Sequence, residues 1–380
     1  GSDSATVWND GWIGRFMDAE YPAFLEAPPV VPPALQIGVS TNLIFRSNTA
    51  AMALAVSSPE AFYQIAQTGQ LYQTATLGNL PHELELKYVR QTANSAFRYA
   101  ETIKKSYSSG KNQANYPTNS NLAEQMAIVA RLIKGNLGTR VFMVTIGGFD
   151  NHANEQADHP GLLNQVAESV KAFYDDLATA GLQDKVLGMS FSEFGRTIYE
   201  NASLGTDHGT GGPMFLFGPS GLDQGLVGTP PDLNQVDPYA DPASTTDFRD
   251  VYATVLQDWI GTDPDFVDFT LGAQHPRLNG LVPATPAPLG SNGDCALLGH
   301  NPSATEPGVF EIKYAMMRGG NIRLQITDSA GHVLRTLVNE FKERGSFTFK
   351  FRASDWFLAP DDYVYRLQAG GQVFSRGIRI

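Results

Sequence analysis

Cysteine is nearly absent: Cys295 is the single one in 380 residues, so no disulfide forms within the chain. This leaves the compartment open, because a large domain can be secreted without disulfides. Positive charge is also scarce. With 27 Lys+Arg against 39 Asp+Glu the net charge is -12, which argues against a nucleic-acid groove or an anionic membrane surface as partner. The basic pair Lys104-Lys105 is too short to change that. No apolar run approaches the roughly 18 residues that a membrane-crossing helix needs. The opening Gly1-Ser2-Asp3-Ser4 lacks an initiating Met, a basic stretch and an apolar export core. The expectation is a mature product or a chain whose true start lies upstream. GxxxxGK[ST], GxSxG and HExxH are missing too, which excludes a P-loop, a nucleophile elbow and a zinc-protease helix.

What is present suits a globular protein: 42% hydrophobic and 17% charged residues, with 37 Gly and 23 Pro that demand many loops. At roughly 150 residues per domain, the length implies two or three domains. The proline-rich stretch 27–35 reads as a loop or an extended entry. From Ser58 to about Ser108, apolar residues such as Phe62, Ile65, Tyr99 and Ile103 recur at helical spacing. Asn121 is placed to cap a helix that carries Leu122, Met126, Val129 and Ile133, closed by Gly135 and Gly138.

A strand is expected at Arg140–Ile146, a helix from about Pro160, a strand at Lys185–Phe191 and another at Met214–Phe217. A further helix is expected over Phe248–Ile260. Strands alternating with amphipathic helices predict βαβ units and a parallel sheet. Beyond Leu281 the composition turns to Pro, Ala, Gly and Asn, and then the period changes to two. Ile322, Leu324 and Ile326 alternate with Arg323, Gln325 and Thr327, and Phe347, Phe349 and Phe351 do likewise. Gly370-Gly371 separates two alternating runs as a tight hairpin would. The expected organisation is an α/β domain over 1–285, a linker over 286–306 and a small all-β sandwich over 307–380.

Three segments after expected strands carry unusual chemistry: Gly147-Gly148-Phe149-Asp150-Asn151-His152, Ser192-Glu193-Phe194-Gly195-Arg196-Thr197 and Gly205-Thr206-Asp207-His208-Gly209. In an open parallel sheet the loops at the strand carboxyl ends converge, so these residues can meet although some fifty positions separate them. Carboxylate oxygens with imidazole nitrogens make a ligand set suited to Zn²⁺ or Mn²⁺. Each residue has a plainer role as well. Asp150 suits a helix cap or turn, Asp207 an Asx-turn, and Glu193 with Arg196 an ion pair that holds a turn. His159 could support the following helix start.

The stretches GGFDNH (147–152), SEFGRT (192–197), ENASLGTDHGTGG (200–212) and DFRDVYATVLQDWIG (247–261) resemble the DUF1501 family from about Trp8 to Leu281. Those are exported bacterial proteins sharing the alkaline-phosphatase/sulfatase-type sheet. The resemblance implies Asp150, His152, Glu193, Asp207 and His208 as metal-site residues; beside them Arg196 is expected to offer a bidentate fork to an anionic substrate. The activity the resemblance implies is metal-dependent hydrolysis of phosphate- or sulfate-type esters. Family members place a GGNDG-like first strand ahead of these segments. That strand and its carboxylate are not found in these 380 residues, so the expectation is either a truncated chain or a partner chain that completes the sheet. The alternative is a non-catalytic surface or assembly protein on the same scaffold.

In the tail, Phe310–Tyr314, Asn321–Asp328 and Asp362–Leu367 resemble FlgD-type Ig-like modules and type IX secretion sorting domains. That resemblance implies secretion machinery as a partner and a secreted or cell-surface location.

Overall fold

A computed structural model describes residues 9–380 except 22–23, 25–27, 48–49, 69–71, 74–77, 79–80, 223–224, 238, 240, 263, 284–294, 303–307, 317–319, 329–330, 344, 357, 360 and 370–371. The chain is a mixed α/β protein with a three-stranded parallel sheet and a C-terminal region of antiparallel strands.

Pro32 and Pro33 lead into β1 (Ala34–Ile37), which pairs in parallel with β2 (Ala53–Val56) and β3 (Val141–Met143). All four residues of β1 are buried, as a central strand covered on both faces requires. On one face Ala34 packs with Phe16, Met17 and Ala19 of α1 (Trp12–Glu20) and with Phe266 and Val267 of α7 (Pro264–Leu271). On the other, Leu35 and Ile37 meet three helices. These are α3 (Pro81–Ser109) through Tyr99 and Ile103, α4 (Asn121–Lys134) through Val129 and Leu132, and α5 (Glu155–Ala178) through Phe173 and Leu177. Each such fully buried aliphatic side chain contributes about 1.5–3 kcal/mol.

Helix α2 (Pro59–Thr68) and α3 cover most of the stretch expected to be helical, but the helix is not continuous: Tyr72, Gln73 and Gly78 between them are not helical. The cap of α4 falls one residue earlier than expected: Ser120 Oγ, not the Asn121 side chain, accepts from Ala123 N. Helix α5 begins five residues before Pro160. Its first turn is fastened from outside, where Asn154 N and Glu155 N donate to the carbonyls of Ser203 and Leu204. Pro160 therefore sits inside the helix rather than at its start.

The parallel sheet has other members than expected: β1 and β2 join β3, while the two later expected strands lie outside it. Of Lys185–Phe191 only β4 (Gly188–Met189) is strand, and it pairs antiparallel with β7 (Leu216–Phe217) as a separate two-stranded ladder. A chain that returns locally needs no crossover helix, so antiparallel pairing is the available solution. Between them β5 (Gly195–Arg196) and β6 (His208–Gly209) form a second antiparallel pair. The helix expected over 248–260 is α6 (Phe248–Thr254) followed by a π-helical turn over Val255–Trp259.

The antiparallel region begins inside the expected linker, since β8 (Cys295–Pro302) pairs with β9 (Val309–Met316). The pairing of Leu297 with Tyr314, both buried, explains why this Ala- and Asn-containing stretch is ordered as strand. Strand β9 also pairs β12 (Gly345–Arg352). A second sheet runs β11 (Val333–Lys342), β10 (Gly320–Thr327), β13 (Asp362–Ala369), β14 (Gln372–Arg379). Ile312 and Tyr314 from one sheet share a core with Ile322, Leu324, Tyr365 and Leu367 from the other. Alternation fails at Thr327, which is buried where the ladder to β11 shifts register. The expected hairpin joins β13 to β14 by antiparallel pairing, while Gly370-Gly371 lie outside the described residues. Arg376 of β14 reaches α1, with Nη2 2.9 Å from Asp18 Oδ2. Among the described residues no helix is long and apolar enough to cross a membrane.

Candidate metal centre

Beyond β3 the chain forms a loop that carries Asp150 and His152 into α5. A second loop, 201–207, lies directly against it. The approach is so close that a Cβ on Gly205 would sit 2.5 Å from the carbonyl carbon of His152, so only glycine fits there. His208 follows on β6, opposite Arg196 of β5.

Asp150 Oδ1 is the centre of the cluster, 2.6 Å from His208 Nε2 and 3.1 Å from His152 Nε2. One donor atom from each of Asp150, His152 and His208 lies within 4.8 Å of the other two. A tetrahedral ion with bonds of roughly 2.0–2.1 Å would set its ligands about 3.3 Å apart. Asp150 Oδ1 and His152 Nε2 are close to that at 3.1 Å, whereas Asp150 Oδ1 and His208 Nε2 stand at a hydrogen-bond distance of 2.6 Å and would part on binding. His152 Nδ1 faces Asp207 Oδ1 at 3.2 Å, and Asn201 Nδ2 holds the same oxygen at 3.1 Å. His152 therefore stands between two carboxylates. A neutral imidazole donates to only one of them; with the proton toward Asp207, Nε2 turns a lone pair to Asp150. A cation at Nε2, or a second proton, satisfies both sides. Carboxylate–imidazole–metal is the usual order when an outer carboxylate orients a ligating histidine.

The hydrogen bond with His208, reinforced by the charge of both histidines and by the His152 hydrogen bond, holds the Asp150 carboxyl below the usual carboxylate range. Hydrogen bonds from Asn201 and then His152 do the same for Asp207. The three clustered side chains are 46–64% exposed, so one side of the cluster is open to solvent.

Not every residue named from the sequence joins the cluster. Asp207 stands behind His152. Glu193 is exposed and outside the group of three. Arg196, expected to grip an anion, spends both terminal nitrogens on backbone: Nη1 donates to Thr206 O at 2.6 Å and Nη2 to Phe149 O at 2.5 Å. It ties the Asp150 loop to the Asp207 loop and forms no turn-holding pair with Glu193.

Other contributors carried no signal by residue type. Phe194 stacks on His208 with centroids 3.8 Å apart and planes at 8°. Thr206 Oγ1 donates to Glu155 Oε2 at 2.7 Å, while Glu155 Oε1 lies 3.2 Å from His159 Nδ1, fastening the second loop to α5. Asn201 lies in the same stretch as Asp207 and His208, and an asparagine in a loop has no distinctive signature. The donor set (one carboxylate oxygen and two imidazole nitrogens, close together and open on one side) fits a divalent ion of the zinc or manganese class.

A family model described as "Protein of unknown function (DUF1501)" matches residues 2–283, a span that contains the whole cluster. No curated protein matches the chain.

Proposed function

Given that the chain belongs to the DUF1501 family, we propose that Asp150, His152 and His208 hold a divalent metal and that the site hydrolyses phosphate- or sulfate-type esters. The observation that carries this reading is the position of Asp150 Oδ1 within 3.1 Å of two imidazole nitrogens. When bound, the ion supplies Lewis acidity and lowers the pKa of a coordinated water or hydroxyl. The chain's own residues do the rest. Asp207 keeps the His152 proton on Nδ1, Phe194 fixes the plane of His208, and Arg196 sets the distance between the loops. The open side leaves room for an anionic ester. In this reading the parallel strands are the core of an alkaline-phosphatase/sulfatase-type sheet spanning residues 1–285, which a further strand or partner chain completes. The antiparallel region from Cys295 onward is an Ig-like module for export or surface attachment of a bacterial protein.

A second reading, a non-catalytic surface or assembly protein, draws support from Arg196, whose terminal nitrogens donate to the backbone carbonyls of Thr206 and Phe149.

The test is elemental analysis of the purified chain together with turnover of aryl phosphate and aryl sulfate. The hydrolase reading expects bound zinc or manganese and ester cleavage, both lost in His152→Ala. Metal without cleavage supports the second reading. A folded, metal-free and inactive chain overturns the metal centre.

A further inference from the structure

We propose that the outer face of the four-stranded antiparallel sheet binds an acidic polysaccharide, independently of the Asp150 cluster. The strand order in this sheet is β11, β10, β13, β14. Ile322, Leu324 and Ile326 of β10 and Tyr363, Tyr365 and Leu367 of β13 turn inward to the shared core. The residues between them therefore point away from it. The register sets these outward residues in two rows across the strands. Asn339, Arg323 and Gln368 make one row, and Thr336, Gln325, Arg366 and Ser375 make the other. Gln325 Nε2 donates to Thr336 Oγ1 at 3.1 Å, as two side chains on one face do.

Two arginines stand in the middle of this face. Arg323 is opposite Gln368 and Arg366 is opposite Gln325, so the pair are diagonal neighbours on adjacent strands, roughly 7–8 Å apart. Neither side chain makes a hydrogen bond or ion pair among the described residues. The one carboxylate on the face among those residues is Asp362, at its far end beside Arg379. Like charges so placed repel, and the sheet gains no stability from them. Charged residues often guard an edge strand against pairing, but β10 and β13 are the two inner strands here. The pair has no structural task in the fold, and what it suits is an anion.

Charge complementarity and the neighbouring groups select the kind of anion. A guanidinium fork matches a carboxylate or sulfate with two parallel hydrogen bonds. The amides of Asn339 and Gln368 and the hydroxyls of Thr336 and Ser375 add donors and acceptors, which sugar hydroxyls need. Phe341, opposite Asn321 on the same face, is 55% exposed and offers a flat apolar surface to a sugar ring. A polymer whose acid groups are spaced by hydroxylated rings meets this pattern. Nucleic acid and anionic bilayers carry denser negative charge, which a chain of net charge -12 repels. Residues 307–380 nevertheless hold more Lys and Arg than Asp and Glu, the reverse of the rest of the chain, so the field at this face favours an anion.

The experiment measures binding of the full chain to polygalacturonate, chondroitin sulfate and neutral dextran by affinity electrophoresis, with chelator present so that no metal at the Asp150 cluster contributes. At least one acidic polymer should bind and dextran should not, and binding should weaken as salt rises. The stronger of the two polymers tells carboxylate from sulfate. Arg323→Ala combined with Arg366→Ala should lower the affinity at least tenfold, whereas Arg379→Ala, beside Asp362, should change it less than twofold. Should the double variant not fold, Arg323→Gln and Arg366→Gln singly must each lower it at least threefold. Binding of neither acidic polymer, equal binding of dextran, or affinity indifferent to both arginines overturns the proposal. So does tighter binding to duplex DNA or to phosphatidylglycerol vesicles. Loss of metal in an Asp150→Ala variant leaves the polysaccharide result unchanged, so the two sites stand or fall separately.

Discussion

The guanidinium of Arg196 donates to the carbonyl oxygen of Phe149, the residue before Asp150, across 47 positions of sequence. Its other terminal nitrogen reaches the carbonyl of Thr206, the residue before Asp207. One side chain therefore fixes the spacing of the two loops whose carboxylates flank His152.

From this staple it follows that Arg196→Met lowers zinc or manganese affinity by roughly 10–100-fold, as loss of an outer support does in metal sites. Arg196→Lys should recover little of it, because a single ammonium cannot present the planar fork that spans both carbonyls. Calorimetric metal titration checks both variants. Unchanged metal affinity with a raised KM alone would return Arg196 to a substrate-binding role.

Asp207 and Asp150 should separate in the same assay. Asp207→Asn leaves the three donors in place but weakens the orientation of His152, so affinity should fall by about 10–100-fold. Asp150→Asn removes the shared oxygen anion and should abolish binding. Equal losses in the two variants would make Asp207 a direct ligand.

Away from the site, Asp176 governs acid stability. Its side chain is fully buried on α5 and accepts from Lys134 Nζ at 2.8 Å, Gln113 N at 2.7 Å and Asn112 Nδ2 at 2.8 Å. Burial alone would push this carboxyl up; Lys134 and the surrounding N–H groups outweigh it and hold the carboxyl below its ordinary value of 3.8. A carboxyl depressed on folding contributes stability that is fully present above its unfolded pKa and lost as pH falls through the lower folded one. The contribution should therefore persist at pH 5 and disappear only below about pH 4. Asp176→Ala strands Lys134 and should cost about 3–5 kcal/mol at neutral pH, read by denaturant unfolding. A cost below about 1 kcal/mol would mean that the buried pair adds nothing net.

Much of this was legible in the sequence because the informative residues are of scarce or periodic types. The chain has 7 histidines, and His152 and His208 stand beside glycines and aspartates in short runs that mark the loops. Tyr363, Tyr365 and Leu367 alternate, and all three are buried on one face of β13. What escaped has physical causes. β1 (ALQI) and β2 (ALAV) are four residues long; β1 is covered on both faces and so shows no alternation. The antiparallel return of β4 and β7 leaves no trace in the sequence, because apolar periodicity does not encode strand direction. The role of Arg196 was hidden because its partners are backbone carbonyls, which every residue possesses.

The contact between Asp18 and Arg376 ties the last strand of the antiparallel region to the helix that lines one wall of the parallel sheet. A load applied to that strand is passed into α1 through this ion pair, alongside the packing of β8 on α1 and of β12 on α7, so pulling on the end of the chain also tensions the body that carries the histidines.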